Sequence, residues 1–377
     1  MSAIRLYGSL MLRHPFRRLD PAGDVHLILA IADHFEPDAG GASVDLARRR
    51  VSEWVDHYPR ALGEFRDADG YSPRHTFFYP VEVYEREHLD GLAELCGRGH
   101  GEVEVHLHHD NDTAENLRAT LTGAVRCLAE RHGLLARRRD DGSPAYGFVH
   151  GNWALNNARP DGRWCGVNDE IRVLRETGCY ADFTFPSAPG PTQPPTFNRI
   201  YHANSSPHRP RGHDRGVAAG EGPAPPGSLM MIPGPLLLNP RNRKWGLVPR
   251  LENGCIQASQ PATAVRLNLW LRARVRVPSR PDWYFVKLHA HGAPERDRDA
   301  LLGPPMAAFH RALACRAADD PRFHVHYVTA REMYNLARAA ESGWRGTVAE
   351  ARDFELVAGR PAAKAAILGG LAHVVGP

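Results

Sequence analysis

The sequence lacks the features that define several large classes of protein. No apolar run approaches the roughly 20 residues needed to span a bilayer. The net charge of +4 over 377 residues is too small for a dedicated nucleic-acid binder. The apolar content of 42% is ordinary for a folded chain and excludes a disordered or fibrous protein. We therefore expect a folded protein with no transmembrane segment and no nucleic-acid partner.

The six cysteines form no CxxC pair and no closely spaced framework. Free thiols in a reducing compartment are the simpler interpretation, so we expect a cytoplasmic protein. Lysine is nearly absent, since it occurs only at Lys244, Lys287 and Lys364. Arginine supplies the remaining basic residues, so short arginine clusters reflect composition rather than phosphate sites. Histidine is the exception, with 21 residues.

Composition divides the chain into a central region and two flanking regions. Residues 1–25 are basic and weakly apolar, and they lack the long apolar core of a signal peptide. A peripheral membrane contact through residues 1–18 stays open as an alternative to a packed extension. Residues 342–377 are rich in Ala and Gly and are interpreted as a C-terminal appendage. Residues 26–341 form the predicted β/α domain. Residues 186–240, dense in Pro and Gly, are predicted to be an irregular insertion with short strands at 198–203 and 229–232.

Strand-like and helix-like segments alternate through the central region. Seven or eight β-α units in one chain favour an α/β fold built as a parallel barrel of the TIM type or a relative of it. The predicted strands are 27–32, 75–79, 103–108, 146–150, 180–185, 283–291 and 323–328. The predicted helices are 44–65, 81–96, one beginning near 112, 168–177, 263–274, 298–315 and 331–340.

Polar side chains gather at the ends of four predicted strands. Asp33 and His34 end the first, residues 106–110 (HLHHD) end the third, residues 150–153 (HGNW) end the fourth, and residues 289–291 (HAH) end a later one. In parallel barrels the reacting groups lie at the C-terminal ends of the strands, because the loops that follow frame the open face. These residues are therefore the candidate site.

Alternation along two of these strands separates apolar from polar side chains. Glu104, His106 and His108 share one face of their strand. His289 and His291 likewise lie opposite the aliphatic residues of theirs. One H-x-H pair alone is more often a solvated sheet face than a ligand pair. Two pairs at predicted strand ends favour a cluster of imidazoles, for which a divalent metal is the simplest partner.

The chain resembles the polysaccharide deacetylase (NodB-homology) superfamily in four segments. Residues 32–35 (ADHF) resemble its first motif, and residues 102–108 (EVEVHLH) resemble its second. Residues 148–153 (FVHGNW) correspond loosely to the third, and residues 286–289 (VKLH) resemble the last. The resemblance covers about residues 26–292. It points to a bacterial branch with a divergent metal motif and the signatures ADHFEP, HLHHDNDT and HGNWAL.

The resemblance implies a distorted (β/α)7–8 barrel and a metal-dependent hydrolase that removes an acyl group, N-acetyl, from a sugar or polysaccharide. One divalent cation, Zn²⁺, would activate the attacking water. Asp33 would act as the base and His289 as the acid that protonates the departing amine. The metal ligands would be His34, His106, His108 and Asp110. The substrate-binding residues would be His150, Asn152, Trp153 and His291.

Three departures from the family motifs leave other functions open. The second acid of the first motif is His34 here, and the histidine expected four residues after His106 is Asp110. The arginine of the third motif is absent. One alternative is another metal-dependent barrel enzyme, such as an amidohydrolase-like hydrolase or a lyase. The other is a non-catalytic glycan-binding relative that kept the barrel.

Overall fold

The computed structural model describes residues 3–13 and 23–359. The strands in these residues are β1 Val25–His34, β2 His75–Pro80, β3 Gly101–Leu107, β4 Ala136–Arg138, β5 Pro144–His150, β6 Cys179–Asp182, β7 Tyr201–Ala203, β8 Val217–Ala218, β9 Leu229–Met231, β10 Leu237–Lys244, β11 Val248–Glu252, β12 Cys255–Ile256, β13 Trp283–Ala290, β14 Phe323–Tyr327 and β15 Leu356–Val357. The α-helices are α1 Ala3–Arg13, α2 Val44–Leu62, α3 Arg86–Gly97, α4 Ala114–Arg126, α5 Glu170–Glu176, α6 Ala264–Ala273, α7 Glu295–Leu302, α8 Pro304–Asp319, α9 Ala330–Glu341 and α10 Val348–Ala351. A single π-helical turn spans Cys127–Arg131.

Most strands join one large sheet in the order β12-β13-β1-β2-β3-β5-β6-β9-β7-β8. Strand β1 is parallel to β13 along its length, to β14 in its first half and to β2 at its C-terminal end. The two ends of this order, β12 and β8, are not paired with each other in the described part of the chain. The structure therefore supports the α/β class and a large, mostly parallel sheet, and does not show a closed barrel.

Both faces of the sheet are buried. Leu27 and Leu29 of β1 belong to a core that includes Trp54 of α2. Ile28, the residue between them, belongs to a second core that includes Met333 of α9. This division follows from the two-residue period of a strand, which sends neighbouring side chains to opposite faces. One face of the sheet thus carries the outer helices, and the other carries α9.

Helix α2 supports the candidate site through Trp54, which contacts the segment after β13. The hydroxyl of Ser43 caps its first turn by accepting a hydrogen bond from the Leu46 amide at 3.3 Å. Residues Val51, Trp54 and Tyr58 recur every three or four positions and form the buried face. The Trp54 indole N–H donates to the carbonyl oxygen of Gly292 at 3.0 Å. The helix therefore holds the segment that follows β13.

Two segments differ from the sequence prediction. The helix predicted over 298–315 is two helices, α7 and α8, because Gly303 leaves the helical conformation and Pro304 starts the second helix. The short strands predicted within 198–203 and 229–232 are present as β7 and β9, and β9 pairs parallel with β6. The insertion over 186–240 thus extends the main sheet instead of forming only a loop over it.

The flanking regions are described only in part. Residues 1–2 and 14–22 of the predicted N-terminal extension, and residues 360–377 of the predicted C-terminal appendage, lie outside the described residues. The described portion of the C-terminal region packs on the domain through β15, which pairs with β4. No helix among the described residues combines the length and apolarity needed to cross a membrane.

Candidate metal centre

Five side chains with metal-binding atoms converge at the C-terminal ends of β1, β3 and β13. Ligand atoms of His34, Glu36 and His291 all lie within 4.8 Å of one another, and so do those of Glu36, His106 and His108. The two groups share the Glu36 carboxylate. Strand β1 pairs with β13 on one edge and with β2 on the other, and β2 in turn pairs with β3. Strands remote in sequence therefore bring these residues together.

Two of the imidazoles are held by their second ring nitrogen. His106 Nδ1 donates to the carbonyl oxygen of Val149 at 2.9 Å, which turns its Nε2 to 3.0 Å from Oε1 of Glu36. His108 Nδ1 is 2.6 Å from Oε1 of Glu82, and its Nε2 is 3.5 Å from Glu36. Metal-ligating histidines are commonly oriented in this way by a carbonyl or a carboxylate. The free nitrogen of each ring therefore faces the shared carboxylate.

The environment of His34 fits a bound cation. Its Nε2 is buried and has no hydrogen-bond partner among the described residues. Burial, followed by the proximity of His291 and His106, lowers the pKa of His34 well below its usual value, so the ring is neutral. An unpaired polar nitrogen is costly inside a protein, whereas a neutral imidazole is a good ligand. The set of imidazole nitrogens and one carboxylate suits Zn²⁺ or a related divalent ion.

Gly151 allows the loop after β5 to pack against the centre. A Cβ atom at this position would lie 2.3 Å from Cδ2 of His108 and 2.8 Å from the carbonyl oxygen of Leu107. No side chain fits that space without moving the imidazole or the backbone. The glycine of the HGNWAL segment therefore fixes the position of His108 through close backbone contact.

Asp33 lies on the other face of β1. It alternates with His34 and lies, like Leu27 and Leu29, on the face that packs on α2, where its side chain is fully buried. Its Oδ1 accepts from the Gly292 amide at 2.7 Å, and its Oδ2 is 2.9 Å from Nε2 of His75. Both oxygens are thus occupied, and Asp33 belongs to neither ligand group. The predicted base is instead placed to hold the segment that carries His291.

Asp110 also lies outside both ligand groups, contrary to the sequence prediction. Its Oδ1 accepts hydrogen bonds from the backbone amides of Asn111 at 3.0 Å and Trp164 at 2.6 Å. The carboxylate therefore ties two loops together. The carboxylate in the centre is Glu36, which the sequence analysis did not select. Glu36 follows His34 by two residues within the ADHFEP segment.

A cavity of about 440 Å³ adjoins the centre and is lined by Trp153, His289 and His291. The Trp153 ring centroid is 5.6 Å from that of His34 and 5.8 Å from that of His291. Its backbone φ of 53° is uncommon for a tryptophan. His289 has a buried Nδ1 with no hydrogen-bond partner in the described chain. These three predicted site residues are therefore brought together.

The other two predicted substrate-binding residues do not line this cavity. His150 is fully buried, and its Nδ1 donates to the carbonyl oxygen of Gly151. Asn152 is half-buried and has a left-handed backbone with φ of 57°, a conformation that asparagine tolerates well. Their contribution to the cavity is therefore the shape of the loop that presents Trp153.

Lys287 forms a buried bridge beneath the cavity. Its Nζ donates to the carbonyl oxygens of Phe183 and Phe185, each at 2.7 Å. These two residues follow β6 and lead into Pro186, which lines the cavity. Burial lowers the pKa of Lys287 to about 7. The side chain therefore joins β13 to the cavity wall while holding little of its usual charge above neutral pH.

This bridge predicts a specific pH dependence of stability. The pKa of Lys287 is about 7 in the folded protein against its ordinary 10.5. Between these values the unfolded chain binds a proton that the folded chain lacks. The free energy of unfolding should therefore rise with pH, by up to about 1.4 kcal/mol per unit, and this gain is lost as the pH falls through 7. Urea unfolding of the protein and of Lys287→Met from about pH 7.5 to 9.5 measures it. If the free energy of unfolding changes with pH equally in the protein and in Lys287→Met, the pH dependence does not come from Lys287.

Comparison with known proteins gives little beyond this geometry. No protein-family model and no curated protein matches the chain. A crystal structure from Mycobacterium smegmatis, provisionally named a polysaccharide deacetylase, is similar over 88% of this chain and 96% of that one. The sequence identity is 15% and the TM-score is 0.43. Similarity at this level establishes neither a family nor an activity.

Proposed function

We propose that this protein is a metal-dependent hydrolase that removes an acyl group, N-acetyl in the simplest case, from a carbohydrate. The observation that carries the proposal is the convergence of four imidazoles and the Glu36 carboxylate beside a cavity of about 440 Å³. The nitrogen without a partner on His34 and the absence of cysteine from this set favour a hydrolytic cation over a thiol-based reaction.

The cation would be held by nitrogen and oxygen atoms from three strand ends. His34, His106 and His108 are the proposed ligands, with Glu36 replacing Asp110 as the carboxylate and His291 as a further nitrogen. When bound, such an ion lowers the pKa of a coordinated water to about 7 and polarises an acyl carbonyl. Glu82 keeps the His108 ring in the tautomer that leaves Nε2 free to bind.

The cavity residues act on the substrate. His289 Nδ1 has no partner within the protein and is available to hydrogen-bond the amide nitrogen of the scissile bond. Delivery of a proton there assists the reaction, because an amide nitrogen leaves poorly as an anion. Trp153 offers a flat apolar surface on which a sugar ring stacks. The carbohydrate class rests on this surface and on the motif resemblance.

A second cavity, of about 460 Å³, is a weaker candidate for the substrate site. It is lined by charged residues that include Arg331, Glu332 and Arg352. Those side chains already form ion pairs within the protein. Their hydrogen-bonding capacity is therefore engaged in holding the fold, which favours the cavity beside the imidazoles.

Asp33 is proposed as a positioning residue that acts through Gly292 on His291. Asp33→Asn keeps an oxygen acceptor for the Gly292 amide, so we expect it to retain most activity and metal. Asp33→Ala loses that acceptor and should lose about 10–100-fold in activity or metal affinity, as for other residues behind a metal ligand. Steady-state kinetics with metal analysis compares the two. Equal inactivity of both variants, with metal retained, would show that Asp33 is the base that the sequence predicted.

The test of the function is a substrate screen on protein purified without a histidine tag. Acetylated mono- and oligosaccharides should release acetate, and chelation followed by Zn²⁺ addition should abolish and restore this release. Release of ammonia from cyclic amides or nucleobases without acetate would favour an amidohydrolase-like enzyme. Glycan binding without any acyl release would favour a non-catalytic relative. A protein that contains no metal at this centre would reject the proposal.

A further inference from the structure

A second group of potential ligands lies behind the loop that follows β3. His109, His150, Cys165 and Glu170 each offer one ligand atom, and these atoms lie within 4.8 Å of one another. They come from four segments: the loop after β3, the end of β5, the loop before α5 and the first residue of α5. None of them belongs to the candidate metal centre. The side chains are almost completely inaccessible to solvent.

Three contacts within this group are about as long as the edges of a coordination tetrahedron. His109 Nε2 is 3.3 Å and His150 Nε2 is 3.5 Å from Oε1 of Glu170, and Cys165 Sγ is 3.4 Å from its Oε2. Zinc bond lengths of about 2.0–2.3 Å give tetrahedral edges of about 3.3–3.6 Å. The two nitrogen–oxygen distances exceed the usual range of about 2.7–3.2 Å for N–H···O hydrogen bonds. These three contacts therefore have lengths that a zinc site allows.

In both imidazoles an oxygen atom lies beside the ring nitrogen Nδ1, as is common for histidines that bind metals. His109 Nδ1 lies 3.1 Å from Oδ2 of Asp112. His150 Nδ1 donates to the carbonyl oxygen of Gly151. In metal sites a carboxylate or carbonyl beside one ring nitrogen orients the ring and leaves the other nitrogen for the metal. In both residues here that other nitrogen, Nε2, faces Glu170.

An independent observation is the Nε2 atom of His150. This residue is fully buried, and Nε2 has no hydrogen-bond partner among the described residues. It points toward the group that contains Cys165 and Glu170. The His150 nitrogen therefore lacks the partner that a cation would supply, whereas the Cys165 sulfur already accepts hydrogen bonds from the backbone amides of Asn157 and Val167.

We propose that His109, His150, Cys165 and Glu170 bind a structural zinc ion, distinct from the candidate metal centre. Four protein ligands close the tetrahedron, which is the mark of a structural site because no position is left for water or substrate. On binding, the Cys165 thiol releases its proton to solvent and the sulfur coordinates as thiolate. The ion joins four segments of the chain that flank His108 and the Trp153 loop.

Cobalt substitution separates this site from the candidate metal centre. Protein produced in zinc-free medium supplemented with Co²⁺ should show a thiolate-to-cobalt charge-transfer absorption, because Cys165 is a ligand. The candidate metal centre contains no cysteine and gives no such band. The band should persist in the double variant His106→Ala/His108→Ala, in which the metal content falls from about two equivalents to about one. This result is independent of whether the protein is a deacylase.

Two matched cysteine variants test whether Cys165 supplies the thiolate ligand. Cys165→Ser should lose the band, whereas Cys179→Ser, which alters another buried cysteine, should keep it. His150→Gln should weaken metal retention during dialysis against a chelator. If Cys165→Ser does not fold, the spectra of the unaltered protein and of the His106/His108 variant still decide the question. Absence of the band from the unaltered protein, or its survival in Cys165→Ser, would overturn the proposal and leave an ion pair of His109 with Glu170.

Discussion

His106→Ala is expected to lower turnover by about a thousandfold or more. Water activation and carbonyl polarisation by a bound cation are worth several kcal/mol, and each 1.4 kcal/mol is about tenfold in rate. The His106 ring is oriented toward the centre, because its Nδ1 donates to the Val149 carbonyl and its Nε2 contacts Glu36. Its removal should therefore deplete the metal and the activity together. Kinetics and metal analysis on the same preparation measure both.

His310→Ala is the matched control for this substitution. His310 is about as deeply buried as His106. Its Nδ1 is hydrogen-bonded to the Tyr327 hydroxyl at 3.0 Å, on the face of the sheet that packs on α2. The control variant should lose stability, since a buried ring is removed, and should keep both metal and turnover. Full activity of His106→Ala, or equal loss in the two variants, would contradict the proposed centre.

Arg331→Met is expected to lower the free energy of unfolding by about 3–5 kcal/mol. Breaking a buried ion pair leaves its partner charged and without compensation. Arg331 is 3% exposed, and its guanidinium donates to Glu102 at 2.8 Å and to the carbonyl oxygen of Leu356 at 2.8 Å. It thereby joins the start of α9 to β3 and to β15. Urea unfolding curves of the protein and the variant give the difference.

A surface pair provides the comparison. Arg118 is 37% exposed and pairs with Glu176, and Arg118→Met should change the free energy of unfolding by no more than about 1 kcal/mol. Adding Glu102→Gln to Arg331→Met should recover part of the loss, because the unpaired carboxylate is removed. A loss of under 1 kcal/mol for Arg331→Met would show that the buried pair contributes no more than the exposed one.

The elements that position the candidate centre follow from the sequence because their patterns are strong. Strands β1, β3 and β13 have mostly apolar side chains at every second position, and each ends at a histidine or one residue before one. Their period and their position in the chain predict an α/β sheet with polar groups at one end. The hairpin of β10 and β11 was not predicted, because most of its residues are exposed and apolar periodicity is absent.

The centre was predicted less completely than the strands. Asp33 and His34 were both assigned to it, although adjacent residues of a strand point to opposite faces. The same period, continued past the strand, would have selected Glu36. The second ligand group could not be predicted from spacing, because Cys165 lies in a loop with no periodicity. Only the folded chain brings it beside His109 and His150.

The ligands at the ends of β1 and β13 stand near opposite ends of the sequence although these strands are hydrogen-bonded neighbours. During synthesis His34 leaves the ribosome long before His291 is made, so the centre stays incomplete until β13 has emerged. A centre with all five side chains would then require β13 to pair with β1. The metal content of the protein in a cell would then report how many finished chains have folded.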